Sequence, residues 1–351
     1  MKMEDIAKMA QVSKAAVSLA FSGKPGIGPE TRDRILLIAR EAGYKPKSRI
    51  TTGTNKVVKS ILFLVFTNSG IVLEEYYQQP FFKELIQFVG ERCRQRNYEL
   101  IFTTIDMKSF ELGVENLAKE QRSDGVIVLG TNLTAEQISV LGENLSNLVV
   151  LDTCFDTLPL SFIEINNVMG AYQAGRYLIE HGHTSIGYIA SNVRIHNFDE
   201  RERGFIKALE EHGLSIENSY RLSVAPTILS SQEELKKQLI ALQINNRPLP
   251  TAWFCECDYI AISAMKTMFE FGKKVPHNCS IIGFDNITEA RVITPELTTV
   301  QVEKERMAAY AVDLLARGIE HGDNLNIKIK VDTTFIERGS CAFNEVNVSP
   351  V

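Results

Sequence analysis

Residues 11–18 read Gln11-Val12-Ser13-Lys14-Ala15-Ala16-Val17-Ser18, and they decide how the amino-terminal part of the chain folds. Ser13 is a helix N-cap residue: its hydroxyl can accept from a backbone N–H that the first turn leaves free, which opens a helix over 14–21. Upstream, 5–10 reads as a first short helix with Ile6 facing inward, and Gln11-Val12 as a tight turn. Ala7 supplies the small residue needed where the second helix crosses the first, and Val12 and Val17 the apolar contacts. Downstream, Gly23, Pro25, Gly26 and Gly28 make a loop. Pro29 at the first helical position, with Glu30 beside it, starts a third helix. Ile35, Ile38, Ala39 and Ala42 form its apolar stripe and Gly43 ends it.

Two short helices around such a turn predict a helix-turn-helix, whose second helix enters the major groove of duplex DNA by its N-terminal residues. Ser13 and Lys14 then stand where phosphates or bases are contacted, and Ala15 and Ala16 where thymine methyls lie. Ser18, Arg32, Lys47 and Arg49 complete the candidate DNA contacts. Charge agrees. Residues 1–59 hold 12 Lys and Arg against 5 Asp and Glu, whereas the remainder carries a net −12 within an overall −5. A basic head on an acidic body is expected when only the head meets phosphate.

The chain of 351 residues is too long for one ordinary core. Residues 1–46 form the expected head and 47–59, poor in apolar side chains, a linker or hinge. From residue 60 short apolar strands alternate with amphipathic helices. Strands are predicted at 61–66, 98–104, 125–129, 148–151, 186–190, 252–255 and 280–284, and helices at 81–96, 170–180, 202–212, 259–271 and 303–319. This alternation predicts parallel sheets covered on both faces. Its length predicts two lobes, one of 60–159 and 290–320, the other of 160–289 and 321–340, with 341–351 as a tail. Ligands of such sheets sit beyond the carboxyl ends of the strands. Asp152 and Asp285 both follow strands, and Arg201 opens a helix.

Several spaced segments resemble the lactose/galactose repressor family. In the head they are Val12-Ser13-Lys14-Ala15-Ala16-Val17-Ser18, Gly23-Lys24-Pro25-Gly26-Ile27, Glu30-Thr31-Arg32-Asp33-Arg34-Ile35 and Gly43-Tyr44-Lys45-Pro46. In the body they include Asn166-Asn167-Val168-Met169-Gly170, His181-Gly182-His183, Arg201-Glu202-Arg203-Gly204-Phe205 and Gly283-Phe284-Asp285-Asn286. The resemblance implies a helix-turn-helix head on a two-lobed body like periplasmic sugar-binding proteins. It implies a homodimeric regulator of transcription, a repressor, that binds double-stranded operator DNA under control of a small effector: a sugar or sugar derivative, with sugar phosphate or nucleoside next. The family's arginine effector contact and strand-end aspartates fall on Arg201, Asp152 and Asp285. Phe81 and Phe82 after Pro80 offer apolar faces to a ligand, or equally belong to the core. Cys257 stands where the family often has Asn, so the effector is expected to lack the group that an amide reads.

Three positions in the head and hinge depart from the family. Gln11 replaces the usual glycine of the turn. Leu19 replaces an arginine near the end of the second helix. Gly53 falls where the family's hinge helix carries a leucine wedge, and Thr51, Thr52 and Gly53 are weak helix formers. A weak hinge helix and little DNA kinking are expected.

Other chemistry finds little support. Six scattered cysteines fit reduced core residues in a cytoplasmic protein. His181 and His183 lack a third ligand at matching spacing, so no metal is expected, and no cofactor. There is no phosphate loop and no Gly-x-Ser-x-Gly elbow. No apolar run is long enough to span a membrane. A solute-binding protein without a DNA role is one alternative; an enzyme on the same two-lobed fold is another. Neither accounts for a basic helical head without a catalytic constellation.

Overall fold

The computed structural model describes residues 3–22, 26–42, 59–120, 122–244, 247–322 and 326–344. The chain divides into two compact units, Met1–Val57 and Val58–Val351. The first contains α1 (Met3–Met9), α2 (Lys14–Ser22) and α3 (Pro29–Glu41). Ile6, Ala7, Ala10, Val17, Ala20, Ile35 and Ala39 form its core; of the apolar positions selected from the sequence, Val12, Ile38 and Ala42 are only partly buried against it, and Ala10 and Ala20 join it. Ser13 caps α2 as expected, its Oγ accepting from the Ala16 N–H at 3.1 Å. Gln11 has φ 54°, so the turn does use the left-handed region.

The second unit begins with β1 (Ser60–Thr67), α4 (Pro80–Gln95), β2 (Glu99–Asp106), α5 (Phe110–Glu120), β3 (Gly125–Leu129), α6 (Ala135–Asn144), β4 (Leu148–Leu151) and β5 (Ser161–Ile165). It continues through α7 (Asn167–Glu180), β6 (Ile186–Ser191), α8 (His196–Glu210), β7 (Arg221–Val224), α9 (Ile228–Ile244), β8 (Ala252–Cys255), α10 (Asp258–Glu270), β9 (Ser280–Ile282) and β10 (Thr299–Gln301). It closes with α11 (Lys304–His321), β11 (Lys328–Val331) and β12 (Thr334–Ile336).

Two parallel sheets result. The first runs β11-β5-β4-β3-β1-β2, the second β7-β6-β8-β9. Strands buried on both faces need apolar residues throughout, which is why β1 reads as the unbroken run Ile61-Leu62-Phe63-Leu64-Val65-Phe66. Leu62, Leu64, Val126, Val128 and Val150 pack under α5 and α6, against Val114, Leu117, Ile138 and Leu141. Residues on the other face, such as Phe63 and Ile127, join a core with Leu85 and Val89 of α4 and Met307 and Ala311 of α11. In the second lobe α7 lies tight on α8. A Cβ on Gly204 would stand 2.2 Å from the Val168 carbonyl oxygen, so only glycine permits this approach.

The lobe boundaries differ from those expected. β5 and β11 lie in the first sheet, so residues 161–165 and 328–331 belong to the first lobe and not to the second. Residues 290–302 lie in the second, where β10 pairs antiparallel with β12 and Ile282 bridges to Thr298. The chain crosses after β5 because Ser161–Ile165 extends the first sheet beside β4; Glu164 in its middle disguises it as a surface segment. The crossings are tied together: Asn166 donates its backbone N–H to Val331 O and its side-chain amide to Asp332, both at 2.7 Å. The expected tail is packed as far as residue 344. Ala342 and Asn344 bond to Ser280, His181 and Gly182, and residues 345–351 lie outside the described residues.

Candidate functional site

In the head, Ser13, Lys14 and Ala15 are exposed on the first turn of α2. Lys14 pairs with Glu4 at 2.7 Å, both more than half exposed, so the contact is weak and easily exchanged for phosphate. Ala16 is half-buried against the head core and Ser18 is half-buried too, so Ala15 is the better placed of the two alanines to face a base. Arg32 is half-buried on α3. Lys47, Arg49 and the hinge with Gly53 lie outside the described residues.

In the body, all six candidate effector residues line one cavity between the two sheets. Phe81, Phe82, Asp152, Arg201, Cys257 and Asp285 meet there with Ile71, Thr131, Ile195, Asn197, Phe198, Pro226 and Tyr259, around about 410 Å³ of space including the open mouth. All but Arg201 come from element ends; Arg201 does not open its helix as the sequence suggested but lies in the second turn of α8, which starts earlier, at His196. Asp152 follows β4 and Asp285 follows β9, and both sit at positive φ, 71° and 113°. A non-glycine residue held there costs about 1–3 kcal/mol, and such strain gathers at ligand sites. Both of these turns bring a carboxylate to the cavity wall. Phe81 and Phe82, in the first turn of α4, are at once core residues and cavity walls, their rings edge to face at 5.5 Å.

Arg201 is the centre of the polar lining. It is 2 % exposed, so it is no surface ion pair with Asp199 or Glu202. Its Nη2 lies 2.9 Å from Asp285 Oδ1, its Nε donates to Asn167 Oδ1 at 2.9 Å and its Nη1 to the Glu256 carbonyl at 2.6 Å. The guanidinium stands 3.8 Å above the Phe284 ring. A buried charge held on three sides and stacked is oriented before a ligand arrives. Asp285 also receives a second cation: buried Lys304 donates to its carbonyl oxygen at 2.9 Å and pairs with Glu84 at 3.2 Å.

Asp152 faces this group from the first lobe. Thr131 Oγ1 donates to its Oδ2 at 2.5 Å, and Asn197 Nδ2, from the second lobe, donates to its Oδ1 at 3.1 Å. Burial raises its carboxyl to about 6 against the pull of Thr131 and Arg201. Asp285 is likewise raised by burial, opposed by Arg201 and Lys304. Cys257 is 2 % exposed and its thiol is pushed up by burial, so it presents a neutral, weakly polar surface.

Reading the sequence missed Thr131, Asn197 and Tyr259. Asn197 lies in the segment from β6 to the first turn of α8, but an asparagine one residue into a helix carries no mark of its own. Arg194, in the same segment, is committed elsewhere. It holds Glu256 at 2.7 Å and Asp199 at 2.7 Å, and does not line the cavity. His183 bonds to Thr251 and the Ala342 carbonyl, a structural role in packing the end of the chain. The six cysteines are free thiols, five of them buried. No described helix is long and apolar enough to cross a membrane.

Comparison with known proteins agrees with both halves. Residues 2–47 match the family of bacterial regulatory proteins of the lacI type, and residues 176–341 match a periplasmic binding protein-like domain. The chain is 31 % identical over 341 residues to the HTH-type transcriptional repressor PurR of Pasteurella multocida, covering 96 % of this chain and 98 % of that one. Its fold is like that of the transcriptional regulator CelR in complex with cellobiose, with a TM-score of 0.69, 22 % identity and coverage of 97 % and 99 %. The lac repressor dimer bound to operator and an anti-inducer gives a TM-score of 0.70 at 18 % identity, with coverage of 97 % and 99 %. At these identities the structures speak for the fold; the PurR relative speaks for the family. Regulators of this kind are not enzymes. The chain therefore belongs to the lacI family of bacterial regulatory proteins, as a DNA-binding transcription regulator under the control of a small ligand.

Proposed function

We propose that this protein is a homodimeric cytoplasmic repressor whose operator affinity is set by a neutral polyhydroxyl effector, a sugar or sugar derivative, held between the lobes by Asp152, Arg201 and Asp285. The observation that carries the reading is the buried set itself: two carboxylates and one guanidinium face a cavity walled by Phe81, Phe82, Phe198 and Tyr259. Carboxylates accept pairs of hydroxyls, the guanidinium donates to ring or hydroxyl oxygens, and the rings cover the apolar faces of a sugar. In the lining two buried acids stand against one arginine, and Lys304 behind Asp285 is already paired with Glu84, so a further anion is disfavoured, which sets a sugar phosphate behind a neutral sugar. A nucleoside is the second reading, favoured by the four aromatic walls. Regulators of similar fold support the first: CelR is complexed with cellobiose, and a LacI family regulator from Enterococcus faecium has bound ribose.

The head then makes phosphate contacts through Ser13, Lys14 and Arg32, with Ala15 against bases, and two heads engage a pseudo-palindromic site. Closure of the lobes on the effector is the conformational change that reaches the heads.

A thermal-shift screen of neutral sugars, sugar phosphates and nucleosides against the full chain and its Asp285→Asn and Arg201→Ala variants tests this. A neutral sugar should raise the melting temperature of wild type and leave both variants unmoved. A hit that shifts the variants as much as wild type would remove the effector site, and a hit among phosphates alone would remove the charge reasoning.

A further inference from the structure

A second polar bridge spans the cleft beside the cavity, and it contains a histidine. His196 is the first residue of α8, in the second lobe, and its Nε2 lies 3.2 Å from Oε2 of Glu164 in β5, in the first. Glu164 is nearly sealed, with its side chain 7 % exposed, and its other oxygen lies 3.2 Å from Lys330 Nζ in β11. Glu164 is thus a hub with one cation from its own lobe and one donor from the other. The next residue of α8 is Asn197, which bonds across the cleft to Asp152 of the ligand cavity. The bridge and the cavity therefore open and close together.

We propose that the His196–Glu164 bridge is a proton-controlled clasp between the lobes, with acid favouring the closed cleft. When the lobes are closed, an imidazolium meets a desolvated carboxylate; when they part, it loses that partner to water. Closure must then draw a proton onto His196, and by linkage a proton on His196 must favour closure. The charged groups facing the imidazole are Glu164 from β5, Lys330 from β11 and Glu200 from one turn further along α8. Glu200 is already paired with Arg203. Phe155 covers the ring at 6.3 Å, and the nearby Cys154 thiol, held up to about 12 chiefly by burial, stays neutral. The balance raises the imidazole above its usual range, through the Glu164 hydrogen bond first, with burial opposing. Lys330 weakens the effect, since it already offsets the Glu164 charge. The clasp is a property of lobe closure and stands apart from the identity of the effector.

The test is lobe separation in the full chain as a function of pH. Donor and acceptor fluorophores are placed at exposed Glu74 and Glu233 through bio-orthogonal residues, and transfer is read from pH 6 to 8.5, with the His196 imidazole followed by NMR. The closed population should fall as pH rises, with its midpoint at the His196 titration. His196→Gln and Glu164→Gln should each flatten the profile, and Lys330→Gln should move the midpoint to higher pH. A wild-type separation that stays constant while His196 titrates overturns the clasp whether or not the variants fold. So does a His196→Gln profile that overlays wild type, or a midpoint that Lys330→Gln leaves in place.

Discussion

Arg201 Nη2 lies 2.9 Å from Asp285 Oδ1, with the two side chains 3 % and 7 % exposed, and the guanidinium rests on Phe284 at 3.8 Å. Cation, anion and ring share one dry corner at the end of β9. Breaking a buried pair leaves the survivor uncompensated, which costs about 3–5 kcal/mol, whereas replacing both partners with apolar residues is far milder. Arg201→Ala and Asp285→Ala should each lower unfolding free energy by about that amount, and Arg201→Met with Asp285→Leu by much less than their sum. Denaturant titration of the four chains reads this. Additive losses would mean that the pair is not a unit.

Asp258 carries a pH prediction of definite sign. It is fully buried, its Oδ1 accepting from Thr299 at 2.6 Å and its Oδ2 from the Ile287 N–H at 2.9 Å, and burial raises its carboxyl from 3.8 to about 8. A folded pKa above the unfolded one means that the native state holds the proton more tightly. This group therefore adds stability at low pH and loses it as pH climbs between about 4 and 8. Unfolding free energies of wild type minus Asp258→Asn, measured across that window, should fall with rising pH. A flat difference would contradict the shift.

Gln11 occupies the left-handed region at φ 54°, where a side chain costs about 1–2 kcal/mol that glycine avoids. Gln11→Gly should therefore stabilise the head, less the greater freedom that glycine gives the unfolded chain, for a net gain of about 1 kcal/mol or less. The thermal unfolding of the head, followed by helical circular dichroism in the full chain, should shift upward. A downward shift would show that the Gln11 side chain contributes more than its strain.

Lys14 stands exposed at the start of α2, in a loose pair with Glu4. If it touches a phosphate, Lys14→Gln should weaken binding to any duplex alike and reduce the slope of log affinity against log salt by about 0.9. Fluorescence anisotropy on a generic duplex at several salt concentrations measures it. An unchanged slope would place Lys14 away from the backbone.

How much of this was legible depended on whether a residue's role is local. The N-cap at Ser13, the tight turn at Gln11-Val12 and the apolar runs of β1, β3 and β4 declare themselves through neighbours in sequence, and the structure has them where the spacing puts them. Asp152, Asp285 and Arg201 line the cavity: strand ends facing a cleft pointed to the two aspartates, and the family's pattern to all three. β5 was missed, since a single Glu164 breaks its apolar pattern, and the lobe boundary was misplaced with it. Asn197 and Thr131 were missed because their meaning is a partner far along the chain: Asn197 reaches Asp152 across 45 positions. Polar contacts between lobes leave no periodicity to read.

In the proposed mechanism DNA and a small ligand are bound by separate parts of one chain and influence each other. Its most direct test compares the full chain with a chain beginning at Lys59, measuring duplex affinity with and without a sugar found in the screen. The full chain should bind duplex with an affinity that the sugar changes, and the sugar's own affinity should change by the same factor when duplex is present. The shortened chain should keep the sugar and lose the duplex. Duplex binding that survives the truncation, or that ignores a saturating sugar, would contradict the account.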